Sequence, residues 1–135
     1  MSDSNCIFCK LASGEFNPAT IYEDDLFRVI LDISPAAKGH ALLLPKRHIT
    51  NIFELDGVEE GKALSVIKKV CVALKKTLNC DGVNLLQNNG TAAGQSVFHL
   101  HFHMIPRYDH DNVHIPWTPL SYADGEADAL ATKIK

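Results

Sequence analysis

The stretch Phe98-His99-Leu100-His101-Phe102-His103-Met104 alternates apolar and imidazole side chains without a break. A two-residue period is the repeat of a β-strand, whose successive side chains point to opposite faces. The run predicts a strand over 97–105, closed by Pro106. Phe98, Leu100, Phe102 and Met104 would enter a core, and the three histidines would face a cleft or water. Side chains two apart along a strand are spaced ~6.6–6.8 Å, so His99 and His103 would stand ~13 Å apart. With metal–nitrogen bonds of ~2 Å, one ion cannot take all three imidazoles. At most one end of the row serves a metal, and the rest is left for other chemistry.

Further strands are expected at 21–23 and 26–31, with Asp24-Asp25 turning between them, at 40–44 before Pro45, and at 83–87. Ala63, Leu64, Ile67, Val70, Cys71, Leu74 and Leu78 recur at three- and four-residue steps, which predicts a helix over 58–78 with Asp56 as its cap. Lys62, Lys68, Lys69, Lys75 and Lys76 mark its solvated face. Several strands and one long helix without regular βαβ alternation indicate an α+β domain. The chain turns polar and proline-containing from about Asp109. We therefore divide it into a domain over 1–110 and a C-terminal tail over 111–135, packed on the domain or on a dimer partner.

At 135 residues the chain is of single-domain size. A net charge of -3 argues against a nucleic-acid partner, whose binding surface is normally basic. No run of 18 apolar residues predicts a membrane span, and the N-terminus does not read as a signal peptide, so a cytoplasmic protein is expected.

Neutral imidazole is a good nucleophile that titrates near neutral pH. Two neighbouring imidazoles can hold a phosphoryl group, one attacking and one donating to oxygen. The loop just upstream, Gly90-Thr-Ala-Ala-Gly94-Gln95-Ser96, offers backbone N–H groups and a hydroxyl, a composition suited to anions.

These residues resemble a known family. Gly94-Gln95-Ser96-Val97-Phe98-His99-Leu100-His101-Phe102-His103 is similar to the signature of the histidine-triad (HIT) proteins, in the branch of nucleotide-binding phosphoramide hydrolases. Asp32-Ile33-Ser34-Pro35, His40, Pro45-Lys46-Arg47-His48-Ile49 and Asn88 match it in order and spacing. The likeness extends over roughly residues 5 to 107.

The resemblance implies an antiparallel sheet of about five strands with one long helix, in a homodimer whose sheet continues across subunits. It implies hydrolysis of a purine nucleoside 5′-phosphoramidate of the adenosine 5′-monophosphoramidase type, through a nucleotidyl-histidine intermediate on His101. The carbonyl of His99 would hold the His101 ring. His103, Asn88 and Ser96 would bind phosphate oxygens beside Gly94 and Gln95, with Ser96 near the leaving group. Asp32 would take the ribose hydroxyls, and Ile7, Phe8, Leu11, Ile30 and Ile33 the purine, unless these apolar residues are plain core. Dinucleoside polyphosphate hydrolysis and a nucleotide-binding regulatory module with weak activity are the rival functions. No organic cofactor is implied.

Cys6-Ile-Phe-Cys9 is half of a structural zinc site. His48 and His99 are the candidates to complete it, and the resemblance to microbial zinc-containing members supports that set. The rival is a pair of reduced, buried thiols. Cys71 reads as core.

Overall fold

A computed structural model describes residues 3–135, so the first two residues of the expected domain lie outside the described residues. Five antiparallel strands form one sheet in the order β1-β2-β3-β5-β4: β1 (Thr20–Glu23), β2 (Phe27–Leu31), β3 (Ala41–Pro45), β4 (Gly82–Leu86) and β5 (Phe102–Arg107). The α+β class and the five-strand sheet agree with expectation. The β1–β2 turn is built by Asp24, whose Oδ1 accepts from the N–H groups of Leu26 and Phe27 at 2.8 Å each.

The long helix α2 spans Gly57–Leu78. It ends at the expected Leu78, where Asn79 adopts a left-handed conformation at φ 52°. It buries Ala63, Val66, Ile67, Val70 and Leu74 against Phe27, Val29, Ala41, Leu43 and Met104 of the sheet. Full burial of such a side chain is worth ~1.5–3 kcal/mol, so this layer holds the domain together. Leu64 was expected on that face but is exposed, and Val66 takes its place. The predicted lysines do face solvent.

The other sheet face is covered in part by α1 (Ile7–Ser13), a short helix the cysteine spacing did not announce. Its Phe8, Leu11 and Ala12 pack on Ile30, Leu42 and Leu44. Layers on both faces are why β3 is buried at every position and reads as an unbroken apolar run.

The last strand departs from expectation. It begins at Phe102, so His99 and His101 lie in an irregular segment ahead of it. Leu100 N–H is drawn to the carbonyl of Ile49 at 2.6 Å, and the His99 carbonyl is taken by a side chain. His99 is fully buried and Phe98 is half-exposed, the reverse of the predicted alternation. The ~13 Å spacing drawn from an ideal strand therefore does not apply. Pro106 does not close the strand but pairs with Val83 inside it.

Arg107 anchors the start of the tail, donating to both carboxylate oxygens of Asp111 and to the carbonyl of Val113. Beyond it, residues 116–135 are exposed throughout and end in a second unexpected helix, α3 (Glu126–Ile134). This part of the tail, unlike residues 111–115, does not bury itself on the domain. Among the described residues no helix is long and apolar enough to cross a membrane.

Candidate active site and metal cluster

Register delivers the first imidazole pair. Leu42 of β3 lies opposite His103 of β5, and His40 immediately precedes β3. His40 Nε2 and His103 Nδ1 stand 2.9 Å apart. The direction of that hydrogen bond follows from the other end of the ring. Ala36 N–H donates to His40 Nδ1 at 3.0 Å, so a neutral His40 carries its proton on Nε2 and donates to His103. His103 is then left with a proton on its own Nε2, as a donor toward the cleft.

His101 has the opposite polarity. Its Nδ1 is 2.7 Å from the carbonyl oxygen of His99, to which only an N–H can donate. The Nε2 of His101 therefore keeps a free lone pair. The rings of His101 and His103 are 5.0 Å apart between centroids and steeply inclined, one an acceptor and one a donor. Burial pushes His101 below its ordinary value, opposed by the His99 carbonyl and Asp32. Burial, helped by His101 and His40, pushes His103 down to about 4. His40 is lowered by burial against the pull of Asp32. All three are neutral at pH 7.

Asp32, at the end of β2, accepts from Ser34 N–H at 2.8 Å through Oδ1. Its Oδ2 lies 3.8 Å from His40 Nε2. Asp32, His40 and His103 bring ligand-type atoms within 4.8 Å of one another. A metal there would have to displace the Nε2 proton of His40 while Ala36 still occupies Nδ1, leaving an imidazolate. Proton donation to His103 is the consistent role.

Asp32 also borders an apolar cavity of about 470 Å³ lined by Ile7, Phe8, Leu11, Ile30, Ile33 and Leu42 among others. Ile30 is buried while Ile33 is fully exposed at the rim, so this group is part core and part open wall. The loop ahead of the histidines turns on two glycines at positive φ, Gly90 and Gly94. Gly94 has φ +95°, and the Asn88 side chain lies against the space a Cβ there would fill. Gln95 is buried, and its amide is spent on backbone groups that tie the loop to residue 50: Oε1 accepts from Gly90 N–H, and Nε2 donates to the carbonyls of Thr50 and Val97. Ser96 is exposed. Sequence reasoning gave His40 no role. A lone polar residue opening an apolar strand was the signal.

Cys6, Cys9, His48 and His99 come together as a second cluster. Cys9 Sγ lies 3.3 Å from His48 Nδ1 and 3.4 Å from His99 Nδ1, and Cys6 Sγ lies 3.5 Å from His99 Nδ1. Zinc bonds of ~2.3 Å to sulfur and ~2.0–2.1 Å to nitrogen at tetrahedral angles put sulfur and nitrogen ~3.5 Å apart. His99 Nε2 donates to the carbonyl of Pro45 at 2.9 Å, which leaves Nδ1 free as a ligand. The donor set and spacing fit zinc. The four described cysteines are free thiols, and burial pushes the Cys9 thiol up, a cost that a bound cation would remove.

The HIT domain family matches residues 13–110, and the chain belongs to it. It is 36% identical over 131 residues to the adenosine 5′-monophosphoramidase hnt1 of Schizosaccharomyces pombe, covering 96% of each chain. It is 40% identical over 108 residues to the adenylylsulfatase HINT3 of Arabidopsis thaliana, covering 80% of this chain and 55% of that protein. A crystal structure from Streptococcus mutans superposes with a TM-score of 0.93 at 36% identity, over 98% of this chain and 85% of that one. A zinc-bound histidine-triad protein from Mycobacterium smegmatis superposes at 0.76 with 35% identity, over 86% and 84%.

Proposed function

We propose that the protein hydrolyses purine nucleoside 5′-phosphoramidates, in the manner of an adenosine 5′-monophosphoramidase, with His101 Nε2 as nucleophile. The observation that carries this reading is the opposed polarity of two neighbouring rings: a lone pair on His101 and an N–H on His103. An in-line displacement at phosphorus needs one nucleophile and donors around the equatorial oxygens.

In the first step His101 Nε2 bonds to the α-phosphorus as the P–N bond breaks, and the amine departs with a proton taken up from solvent through the exposed Ser96 hydroxyl. His103 Nε2–H, Asn88 and Ser96 donate to the phosphoryl oxygens, and Ser96 also lies toward the leaving group. Gly94 and Gln95 shape the loop. Water then attacks phosphorus, the Nε2–P bond breaks, and the nucleotide leaves while the water proton passes to solvent. Asp32 accepts from the ribose hydroxyls through its open Oδ2, and Ile7, Phe8, Leu11, Ile30 and Ile33 receive the purine. Splitting one hard displacement into two is the general gain of a covalent intermediate.

Zinc on Cys6, Cys9, His48 and His99 is closed by four protein ligands and would anchor α1 rather than do chemistry. We further infer a homodimer that extends the sheet at β4. This edge strand exposes Leu85, α2 exposes Leu64 and Val72, and the tail presents Trp117, Leu120 and Tyr122 with no cover from its own chain. Its reduced cysteines suit a cytoplasmic protein.

The test compares kcat/KM for an adenosine phosphoramidate and a diadenosine polyphosphate, in the wild type and in His101→Ala. The phosphoramidate should turn over faster, and the variant should lose at least ~10³-fold. Preference for the dinucleotide would move the protein to the polyphosphate hydrolases. Near-normal activity in the variant would rule out the covalent route, and tight AMP binding without turnover would leave a regulatory module.

A further inference from the structure

The metal cluster and His101 are connected by two independent routes. The first is the backbone. His99 presents Nδ1 to the cysteines, ties Nε2 to Pro45, and lends its carbonyl to the Nδ1–H of His101 at 2.7 Å. Rotation of the His99 residue would carry that carbonyl with it. The second route is α1. Cys6 is its N-cap, accepting from Cys9 N–H, and Phe8 lies between the two cysteines along the chain. The Phe8 ring meets His101 in a T-shaped contact, with centroids 4.9 Å apart and planes at 80°, and also reaches His99 at 6.1 Å.

A seven-residue helix does not hold its position by its own hydrogen bonds. Its seat comes from Phe8, Leu11 and Ala12 on the sheet and from the two thiols at its start. The ring of His101 is thus limited in one direction by the His99 carbonyl and in another by Phe8. Both limits are set by residues within the four-ligand cluster or next to one of its members.

We propose that Phe8 is a positioning residue for His101, and that a metal on Cys6, Cys9, His48 and His99 holds the His101 ring in its Nδ1–H form through Phe8 and the His99 carbonyl. This rests on the reading of His101 as nucleophile, but its primary readout does not.

Histidine-¹⁵N NMR of the full-length protein reports which nitrogen of each ring carries the proton. With one zinc bound per chain, His101 should show a single Nδ1–H tautomer. After chelation it should show exchange between tautomers, while His103, held through His40, should change less. In Phe8→Leu, with zinc content verified, the same loosening should appear and kcat should fall about tenfold more than KM rises, as expected for a misplaced reacting group. Phe8→Tyr, which keeps the ring edge, should restore both. If Phe8→Leu does not fold, Phe8→Met removes the ring with a comparable apolar volume and serves the same purpose. An unchanged His101 tautomer after chelation, or a Phe8→Leu protein with wild-type signals and kcat, overturns the proposal. A tautomer shift in a protein that hydrolyses no nucleotide would leave the positioning intact and remove only the catalytic reading.

Discussion

His40 Nε2 lies 2.9 Å from His103 Nδ1, and the proton between them belongs to His40 because Ala36 N–H already occupies the other end of its ring. One backbone amide in a loop thereby decides the proton state of a side chain on β5. Without His40, His103 could carry its proton on either nitrogen, and the cleft would lose a committed donor. We expect His40→Ala to lower kcat by ~10²-fold, the usual cost of losing one preorganised hydrogen-bond donor to the reacting oxygens, with a smaller change in KM. Steady-state kinetics on the phosphoramidate measure this. An equal effect on kcat/KM through KM alone would mean that His40 serves only binding.

Acid should act on stability through His103. Its proton affinity is pushed down to about 4 from an ordinary 6.5. Between these values the unfolded chain binds a proton that the folded chain refuses, so stability rises with pH across that window. The contribution is complete above about 6.5 and is lost as pH falls toward 4. Urea unfolding of metal-free protein at several pH values should show this slope, and His103→Asn should flatten part of it. An identical pH dependence in the variant would contradict the assignment.

Gly94→Ala should be costly for its size. The residue has φ +95°, and the new Cβ would stand 3.4 Å from Asn88 Nδ2. A left-handed conformation costs a non-glycine residue ~1–2 kcal/mol. Thermal unfolding should show that loss, and KM should rise as the backbone strain shifts the loop that carries the phosphate donors. A substitution that leaves both untouched would separate this loop from phosphate binding.

Zinc should be worth more to stability than to chemistry once bound. Ligand that binds only the folded state at a thousandfold excess over Kd adds ~4 kcal/mol. Elemental analysis should find one zinc per chain, absent in Cys6→Ser/Cys9→Ser, with a lowered Tm in that variant. A zinc-free wild type of unchanged Tm would leave the cluster as four buried, reduced side chains.

Deleting residues 116–135 should leave the Tm of an isolated chain nearly unchanged, since every residue removed is exposed. Light scattering should instead show a dimer weakened by the deletion. A monomeric full-length protein would remove the dimer reading.

Much of this molecule could be read along the chain, and the boundary of what could not has a physical cause. The unbroken apolar run of β3 and the three- and four-residue steps of α2 report burial directly, because side-chain direction is periodic in a strand and in a helix. The three histidines and the C-x₂-C pair marked the side chains that gather into the two clusters. The same periodicity misled at His99 and Phe98. A backbone carbonyl spent on His101 Nδ1, and an N–H drawn to Ile49, end the ladder before it reaches them. Such bonds join distant or adjacent groups at no fixed interval and leave no period to read. The order of residues supplies the inventory: which imidazoles, thiols and carboxylates the chain owns, and which segments must be buried. Their protonation and partnership come from folding, since the Ala36 amide and the His99 and Pro45 carbonyls become donors and acceptors for particular ring nitrogens once the chain has folded.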